Sequence, residues 1–402
     1  MENNLYLKEV KLSGYKSIID VDVEFQNGLN VIIGKNAAGK TNFLKFLTKI
    51  LSFKYESLNN FYAEFLFKNE KKNVFKSQRN IEIDELFNSN NLSNKVDYEL
   101  IVDGKIIKDK KGNDETIIFD KFEKNKIVFD TTFICHGIFK DYLIVDKPYS
   151  FRIDNSKFRW SNDLQSIFGN PSNPYFIKCL TLDFILGIMN LKEEFDLDNF
   201  KELFKNIFNK TEKIKSTLKK YSPIEDIKFS DNFNIFISDD KETISVNNIF
   251  IEFKIDGNWL PFSSLSDGTK RLFYIISEVF ENDENTHVRP TNIGKYEGQN
   301  QISRIILIEE PELGIHPHQF HKLMEFLKLE AQNKQIIITT HSPQALDAIN
   351  SNELSRIVIA YSTSSKEGTK LRHLNENEIV KANEYIKEDF LSDYWLYSDL
   401  EK

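Results

Sequence analysis

The stretch from Gly34 to Thr41, GKNAAGKT, constrains the fold of this chain more than any other, because it matches the phosphate-loop pattern G-x-x-x-x-G-K-[ST] at every fixed position. The apolar run Leu29 to Ile33 precedes it and predicts a buried strand. A strand, a glycine loop and a helix in this order form the context that the pattern requires. The helix is predicted from apolar residues at helical spacing: Phe43, Leu44, Leu47, Ile50 and Leu51.

The residue types in this loop suit the binding of nucleotide phosphates. Gly34 and Gly39 allow backbone angles and close approaches that a side chain would block. The backbone N–H groups and the helix N-terminus then face phosphate oxygens. Lys40 adds a positive charge at the β- and γ-phosphates, and Thr41 offers a hydroxyl to Mg²⁺. The alternative is a glycine turn that merely leads into a helix, and the strand, helix, lysine and threonine together argue against it.

Composition bounds the class of protein. The chain has 402 residues, 40% of them hydrophobic, which suffices for two or three domains with a sizeable core. The net charge of -8 argues against bulk electrostatic capture of nucleic acid, but not against a local basic patch. Two cysteines, Cys135 and Cys179, without a C-x-x-C motif make a disulfide framework or a zinc site unexpected. No signal pattern and no apolar run long enough to span a membrane occur, so we expect a cytoplasmic protein.

Strand patterns surround the loop at the N-terminus. Leu5 to Lys11 and Val21 to Phe25 alternate apolar and polar residues, which predicts half-exposed strands. Val96 to Ile107 reads as a hairpin whose turn is Asp103-Gly104. We therefore expect a small antiparallel unit beside the strand that precedes the phosphate loop.

An insertion separates the phosphate loop from the next motif. Phe176 to Asn190 predicts an apolar helix, and Leu191 to Lys220 predicts an amphipathic one. The sequence thus favours a mainly helical, compact insertion. The predicted domains are residues 1–60 for the first part of the head, 61–225 for the insertion and 226–402 for the rest of the head.

Two basic runs lie within this insertion. Each is a candidate contact to a phosphate backbone, and each is also what an ordinary solvated surface of a lysine-rich protein looks like. The first run contains Lys68, Lys71, Lys72, Lys76 and Arg79, and the second contains Lys210, Lys213, Lys215, Lys219 and Lys220.

Polar residues follow two further apolar strands. Arg304 to Glu310, RIILIEE, ends in two carboxylates, Glu309 and Glu310. Gln335 to Thr340, QIIITT, is followed directly by His341. Ligands bind at the carboxyl ends of strands in α/β sheets, so these side chains are expected at the edge that carries the phosphate loop.

Another helix is predicted after SSLSDG. Ser264 and Ser266 suit its N-cap. Its buried stripe is predicted to contain Leu272, Ile275, Ile276 and Val279.

Taken in order, GKNAAGKT, SLSDGTKR, IILIEEPE and TTHSP resemble the motifs of the ABC-type ATPase heads of the RecF, SMC and OLD group. YKSI before the phosphate loop and IEEPELGIHP are similar to further motifs of that group. By shape the chain resembles a stand-alone OLD-like P-loop ATPase, of the kind found in bacterial anti-phage systems such as Septu and PARIS. The resemblance implies an α/β head with a mixed sheet flanked by helices and an antiparallel β subdomain.

The resemblance also implies roles for particular residues, with ATP and Mg²⁺ as the cofactors. Thr41 and Glu309 would hold the metal, Glu310 would polarise the attacking water, and His341 would contact the γ-phosphate. Ser266 and Gly268 would belong to a signature loop that closes on ATP bound to the opposite subunit, and Lys270 or Arg271, which follow it, could reach the γ-phosphate of that ATP. The residues that would hold the phosphates are Gly34, Lys35, Asn36, Ala37, Ala38, Gly39, Lys40, Thr41 and Asn42.

Four features depart from the pattern of the resembled group. Glu309 stands where an aspartate is usual, and the signature reads LSDGT instead of LSGGQ. No glutamine can be assigned to the Q-loop. The residues after His341 leave no room for a Toprim nuclease domain, so any nuclease is expected to be a separate protein.

Three functions follow as hypotheses. The first is a defence ATPase that forms a homodimer or a higher even-numbered oligomer and controls a separate nuclease or toxin. The second is a DNA-repair or chromosome-maintenance ATPase of the RecF/SMC type, with DNA as its ligand. The third is an ATP-locked scaffold with slow turnover. The acidic net charge and the short insertion favour the first.

Overall fold

The computed structural model describes residues 5–52, 54–55, 57–69, 71–80, 96–108, 129–135, 149–154, 157–160, 212, 214–232, 234–238, 243–249, 251–280, 303–362, 364, 367–388, 390–398 and 400. The chain divides into two compact units. The first unit contains Met1–Cys135, Glu297–Glu312 and Leu327–Lys402. The second unit contains His136–Tyr296 and Leu313–Phe326.

A mainly parallel six-stranded sheet forms the centre of the first unit. Adjacent strands run parallel except at one edge, where β19 pairs antiparallel with β18. Every residue of β3 and β17 is buried, which explains why apolar residues occupy consecutive positions in these segments. In spatial order the strands are β19 (Lys370–His373), β18 (Ile357–Tyr361), β3 (Leu29–Ile33), β17 (Gln335–Thr340), β16 (Ser303–Glu309) and β8 (Phe129–Ile134).

Helix α1 (Lys40–Leu51) follows the phosphate loop and contacts β16, β17 and β8 of this sheet. All five apolar residues that predicted the helix are buried, so the prediction of a strand, a loop and a helix is confirmed. The helix begins after Gly39, which has a left-handed φ of 90° and provides no side-chain cap.

An antiparallel six-stranded sheet is the second layer of the first unit. The two predicted N-terminal strands are its β1 and β2, and the predicted hairpin is formed by β6 and β7. Asp103 and Gly104 form the hairpin turn with φ values of 47° and 77°, as a two-residue hairpin turn requires. In spatial order the strands are β2 (Val21–Glu24), β1 (Tyr6–Ser13), β4 (Phe61–Lys68), β5 (Lys72–Arg79), β6 (Asp97–Val102) and β7 (Lys105–Lys108).

The observed division of the chain differs from the predicted limits at residues 60 and 225. Strand β4 pairs with β1 from Tyr62 to Lys68, so the described residues of the range 61–108 extend the N-terminal sheet. Strand β8 also lies within the predicted insertion, yet it pairs with β16 at the edge of the central sheet. The described residues of the range 61–225 are mostly strands. The predicted helix Phe176 to Asn190 lies outside the described residues, as does most of Leu191 to Lys220, whose described end is helical.

The end of the chain covers the first unit with helices α4 (Glu376–Glu388) and α5 (Leu391–Tyr397). Arg372 at the end of β19 forms a bidentate ion pair with Glu378, at 2.7 and 2.9 Å. Glu378 also accepts a hydrogen bond from the N–H of Asn375, whose side chain in turn accepts one from the N–H of Glu378. This reciprocal pair is a capping box, and it fixes the start of α4.

The second unit contains two described antiparallel sheets, in the orders β10-β9-β13-β12 and β11-β14-β15. Its helix α2 (Asp267–Phe280) buries the predicted stripe completely. Helix α3 (Pro317–Glu330) begins in the second unit. The strands are β9 (Tyr149–Asp154), β10 (Lys157–Trp160), β11 (Asp226–Phe229), β12 (Asn234–Ile237), β13 (Thr243–Ile249), β14 (Ile251–Ile255) and β15 (Asn258–Pro261). Among the residues described in either unit, no helix has the length and apolar character needed to cross a membrane.

Candidate nucleotide site

The two outer glycines of the phosphate loop are required for different reasons. A Cβ on Gly34 would collide with the carbonyl oxygen of Ala360 in the neighbouring strand β18. A Cβ on Gly39 would collide with the hydroxyl of Thr369, and its φ of 90° is one that side chains rarely adopt. The loop between them is exposed at Lys35, Asn36 and Ala37. It therefore offers its backbone to solvent, while both of its ends are fixed by close packing.

Lys40 lies over the loop. Its side chain is buried, and the ammonium group donates hydrogen bonds to the carbonyl oxygens of Gly34 and Lys35, the latter at 2.9 Å. The lysine charge is thus held beside the loop backbone, close to the start of α1. A positive charge and a helix N-terminus at one place form an anion site.

Hydrogen bonds that the sequence did not predict hold together the segments beside Gly39 of the phosphate loop. The hydroxyl of Ser17 in the YKSI stretch accepts hydrogen bonds from the amide of Asn42 at 2.9 Å and from the hydroxyl of Thr369 at 2.8 Å. Thr369 also donates its backbone N–H to the carbonyl oxygen of Ser17. Three segments far apart in sequence are therefore joined next to Gly39.

Strands β3, β17 and β16 are neighbours in the sheet, and predicted site residues lie at the carboxyl end of each strand or directly after it. The phosphate loop follows β3, His341 follows β17, and Glu309 is the last residue of β16. Glu309 is fully buried, and the register places it opposite Thr339. Glu310 adopts a left-handed φ of 45°, and its N–H donates to Thr339 at 2.8 Å. Adjacent carboxylates thus have different surroundings, because the side chain of Glu310 is partly exposed.

Glu312 is a site residue that the sequence reasoning missed. Its Oε1 accepts hydrogen bonds from the hydroxyl of Thr340 at 2.6 Å and from the N–H of His341 at 3.0 Å. The same oxygen lies 3.1 Å from Nδ1 of His341, whereas Glu310 Oε1 lies 3.8 Å from that nitrogen. The available signal was the third carboxylate of the EEPE stretch, which is a weak signal because acidic residues are common.

The residues at this edge fit a nucleotide with its divalent cation. Helix α1 has no acidic residue in its first turn and no side-chain cap at Gly39, so the N–H groups of its N-terminus are suited to an external anion. Thr41 lies in the first turn of this helix and Glu309 is a buried carboxylate at a strand end, and both have the oxygen ligands that Mg²⁺ prefers.

The predicted signature residues open helix α2 in the second unit. The Ser266 hydroxyl accepts a hydrogen bond from the N–H of Thr269 at 3.2 Å, which confirms Ser266 as the N-cap. A Cβ on Gly268 would collide with the carbonyl oxygen of Gly314. The ammonium group of Lys270 lies 5.7 Å from the centre of the Phe262 ring.

Arg271 was considered with Lys270 as a residue that reaches a nucleotide in the opposite subunit. Arg271 is only 1% exposed within α2, which argues against this role for it. The sequence did not indicate this, because a basic residue near a helix start is usually on the surface.

Two residues of the first basic run, Lys76 and Arg79, have partners within the protein. Lys76 lies 3.1 Å from Glu64, which also lies 3.7 Å from Lys11. Burial alone would raise the pKa of Glu64, but hydrogen bonds from Tyr62 and Lys76 hold it below its usual value. Arg79 is buried and donates to backbone carbonyl oxygens. Charges alternate between directly paired positions across the whole sheet, in the order Asp22, Lys11, Glu64, Lys76, Glu99 and Lys108.

The second basic run is described only in part. Lys215 pairs with Asp226 at 2.8 Å, and the ammonium group of Lys220 lies over the Tyr221 ring. Lys210 and Lys213 lie outside the described residues.

A phosphate loop, a strand-end carboxylate pair and a strand-end histidine on neighbouring parallel strands define a P-loop ATPase with an ABC-type head fold. More narrowly, the chain belongs to the family described as "AAA domain, putative AbiEii toxin, Type IV TA system", whose model matches residues 29–347. The fold is similar to that of an SMC head bound to the C-terminal winged-helix domain of ScpA. That similarity has a TM-score of 0.53 at 14% identity and covers 94% of this chain and 99% of the SMC head.

Curated proteins similar in sequence include the Septu protein PtuA of Bacillus thuringiensis. It is 25% identical over 366 residues, which are 87% of this chain and 75% of PtuA. The probable ATPase of retron Ec83 from Escherichia coli is 28% identical over 106 residues, 26% of this chain and 18% of that protein. The replication and repair protein RecF of Streptococcus uberis is 51% identical over 41 residues, 10% of this chain and 11% of RecF.

Proposed function

We propose that this protein is a Mg²⁺-dependent ATPase of the cytoplasm that controls a separate effector, a nuclease or toxin, in anti-phage defence. The observation that carries the ATPase part is the placement of the phosphate loop, Glu309 with Glu310, and His341 at the ends of three neighbouring strands. The defence part rests on the similarity to the Septu protein over most of both chains.

The chain's own residues account for the binding and the chemistry in this proposal. The loop backbone, Lys40 and the N-terminus of α1 bind the phosphates and neutralise their charge. Bound Mg²⁺ would supply further neutralisation of the phosphate oxygens. Glu310, partly exposed beside the buried Glu309, orients a water molecule and accepts its proton. His341, whose side chain is 41% exposed, contacts the γ-phosphate.

The direct test is Lys40→Ala, measured by calorimetric titration of ATP with Mg²⁺. We expect binding to fall below detection, because the variant removes the charge held against the loop. Lys105→Ala, on the exposed hairpin, is the control for loss of a lysine and should bind as the parent does. Undiminished affinity of Lys40→Ala would refute the assignment of the site.

The repair alternative has one observation in its favour, the short match to RecF. The alternating charges across the antiparallel sheet argue against DNA binding along that row of residues, since Lys11 and Lys76 both lie beside Glu64. Purifying the tagged protein from its native host would separate the two functions: a co-purifying nuclease or toxin supports the defence role, and DNA with repair proteins supports the alternative.

A further inference from the structure

We infer that Glu312 is a positioning residue, which holds the imidazole of His341 through Nδ1 and thereby keeps it away from Glu310. This inference deepens the proposed ATPase function and rests on it. The residue acts through His341 and needs no contact with the nucleotide.

Glu312 restrains both the backbone and the ring of His341. One carboxylate oxygen accepts from the backbone N–H at 3.0 Å and lies 3.1 Å from Nδ1. The hydroxyl of the preceding Thr340 donates to the same oxygen at 2.6 Å. The Glu312 side chain is 9% exposed, so it lies within the turn and not in solvent. These contacts fix the torsion angles of His341 to one arrangement.

The chemistry of the pair determines which ring nitrogen carries a proton. A carboxylate only accepts hydrogen bonds, so a Glu312 oxygen 3.1 Å from Nδ1 favours the form of the imidazole that carries a proton on that nitrogen. Nε2 is then the nitrogen left for a ligand, and 41% of the His341 side chain is exposed. Free imidazole favours the opposite tautomer, with the proton on Nε2. Glu312 therefore selects the form as well as the orientation of the ring.

The same contact affects Glu310. Its Oε1 lies 3.8 Å from Nδ1 of His341, outside hydrogen-bond distance but within reach of a small ring rotation. Glu312 is nearer and takes the N–H, which leaves the Glu310 carboxylate for water. Without Glu312, the imidazole would turn to Glu310 and occupy the group that must accept a proton.

Steady-state kinetics with ATP test the inference. For Glu312→Ala we expect kcat to fall about 10- to 100-fold, the loss that misplacement of a reacting group by about 1 Å can cause. The KM for ATP should stay within about twofold, since the contact is not part of phosphate binding. Glu312→Gln keeps an acceptor oxygen, and its kcat should recover to within about fivefold of the parent.

Two controls separate positioning from general damage. Glu325→Gln removes another glutamate–histidine pair, with His321 at 3.4 Å on the exposed surface of α3, and should change neither kcat nor KM. In a His341→Ala background, Glu312→Ala should cause no further loss beyond about twofold, because its effect passes through the missing ring. An equal loss in both backgrounds, or no loss in either, would overturn the inference.

A second measurement does not need ATP hydrolysis. The chain has seven histidines, and ¹⁵N NMR of histidine-labelled protein reports which ring nitrogen is protonated, with His341→Ala identifying the signal. The parent should show a protonated Nδ1 at His341, and Glu312→Ala should lose that form while Glu325→Gln keeps it. An unchanged tautomer overturns the inference even if the protein hydrolyses ATP. A parent without hydrolysis, but with the tautomer change, refutes only the proposed function.

Discussion

At the scale of single residues, the site depends on two carboxylates that are adjacent in sequence but differ in their exposure to solvent. Glu309 is fully buried at the end of β16, whereas the next residue turns into the left-handed region and is partly exposed. Carboxylates next to each other in sequence can perform different tasks only when their environments differ. The left-handed turn at Glu310, before Pro311, produces that difference.

We predict that Glu310→Gln binds ATP as the parent does but hydrolyses it at least about 100-fold more slowly, because the amide keeps the shape and cannot accept a proton. Single-turnover hydrolysis of radiolabelled ATP measures the rate, and calorimetry measures the affinity. Glu325→Gln on exposed α3 serves as the control. Turnover at the parental rate would exclude Glu310 and make Glu309 the candidate.

Gly39→Ala should lower the free energy of unfolding more than Gly104→Ala. Both glycines have a left-handed φ, which costs another residue about 1–2 kcal/mol. Open space surrounds Gly104, whereas a Cβ on Gly39 collides with Thr369, so the difference should be about 1–3 kcal/mol. Urea unfolding measures both variants, and equal costs would show that the Thr369 segment moves freely away from the loop.

Residues that belong to a motif were predictable, and residues that only support it were not. The phosphate loop is recognisable because glycine, lysine and threonine recur at fixed spacings. Thr369 and Ser17 meet at the loop across 352 positions, and no local pattern records such a contact. Glu312 belonged to a recognised stretch after β16, but its partner His341 follows a different strand, β17.

At the scale of elements, the capping box of α4 should make stability depend on acid. Burial alone would raise the pKa of Glu378, but the hydrogen bonds of Arg372 and Asn375 hold this pKa below the ordinary value for a glutamate. A carboxylate with a lowered pKa stabilises the fold above its unfolded pKa, and this contribution is lost as the pH falls through the folded pKa.

Glu378→Gln should therefore destabilise the protein at pH 7 and have little effect at a pH below the folded pKa of Glu378. Thermal unfolding at pH values from about 3 to about 7, a range that includes the ordinary carboxyl pKa, measures the difference in stability between variant and parent. This difference should become smaller as the pH falls. Glu376→Gln in the same first turn is the control for the helix dipole. A difference that stays constant with pH would contradict the assigned role of the ion pair.

The elements with regular apolar patterns were predicted well, and those placed by distant partners were not. Strands β3, β16 and β17 are almost completely buried, so each contains a run of consecutive apolar residues. Strand β8, FDTTFI, is an edge strand of mixed composition, and its side-chain contact with β16 spans 172 positions. Only the fold shows that it belongs to the central sheet.

At the scale of the whole molecule, a phosphate loop leaves the γ-phosphate open to water on one side. In the resembled family the signature loop of a partner closes that side. We therefore predict that ATP added to Glu310→Gln stabilises a homodimer or a higher even-numbered assembly, an isologous pairing that completes each site. Light scattering after size exclusion measures the mass, and a monomer at saturating ATP would contradict the prediction.

Ser266→Arg should block this assembly and leave ATP binding intact, because a bulky cation replaces the small hydroxyl at the start of α2. Ser266 also caps the helix, so Ser266→Thr, which keeps a hydroxyl acceptor, is the matched control and should assemble normally. Mixing Lys40→Ala with Ser266→Arg subunits should restore part of the activity, since one site of each mixed dimer carries neither change. No recovery, with subunit exchange verified by mass, would exclude a shared site.

The pairing of the phosphate-loop strand has a consequence for synthesis on the ribosome. Strand β3 pairs with β17 and β18. The side-chain amide of Gln335 forms hydrogen bonds with the backbone of Leu7, which is 328 positions away in sequence. At about 5–20 residues per second, the apolar N-terminal segments wait on the order of 20 to 60 seconds for these partners. During that time a buried strand of the central sheet has no parallel neighbour from the C-terminal part, and exposed apolar strands aggregate. The nascent chain therefore needs a chaperone during this time, although the final fold buries these strands.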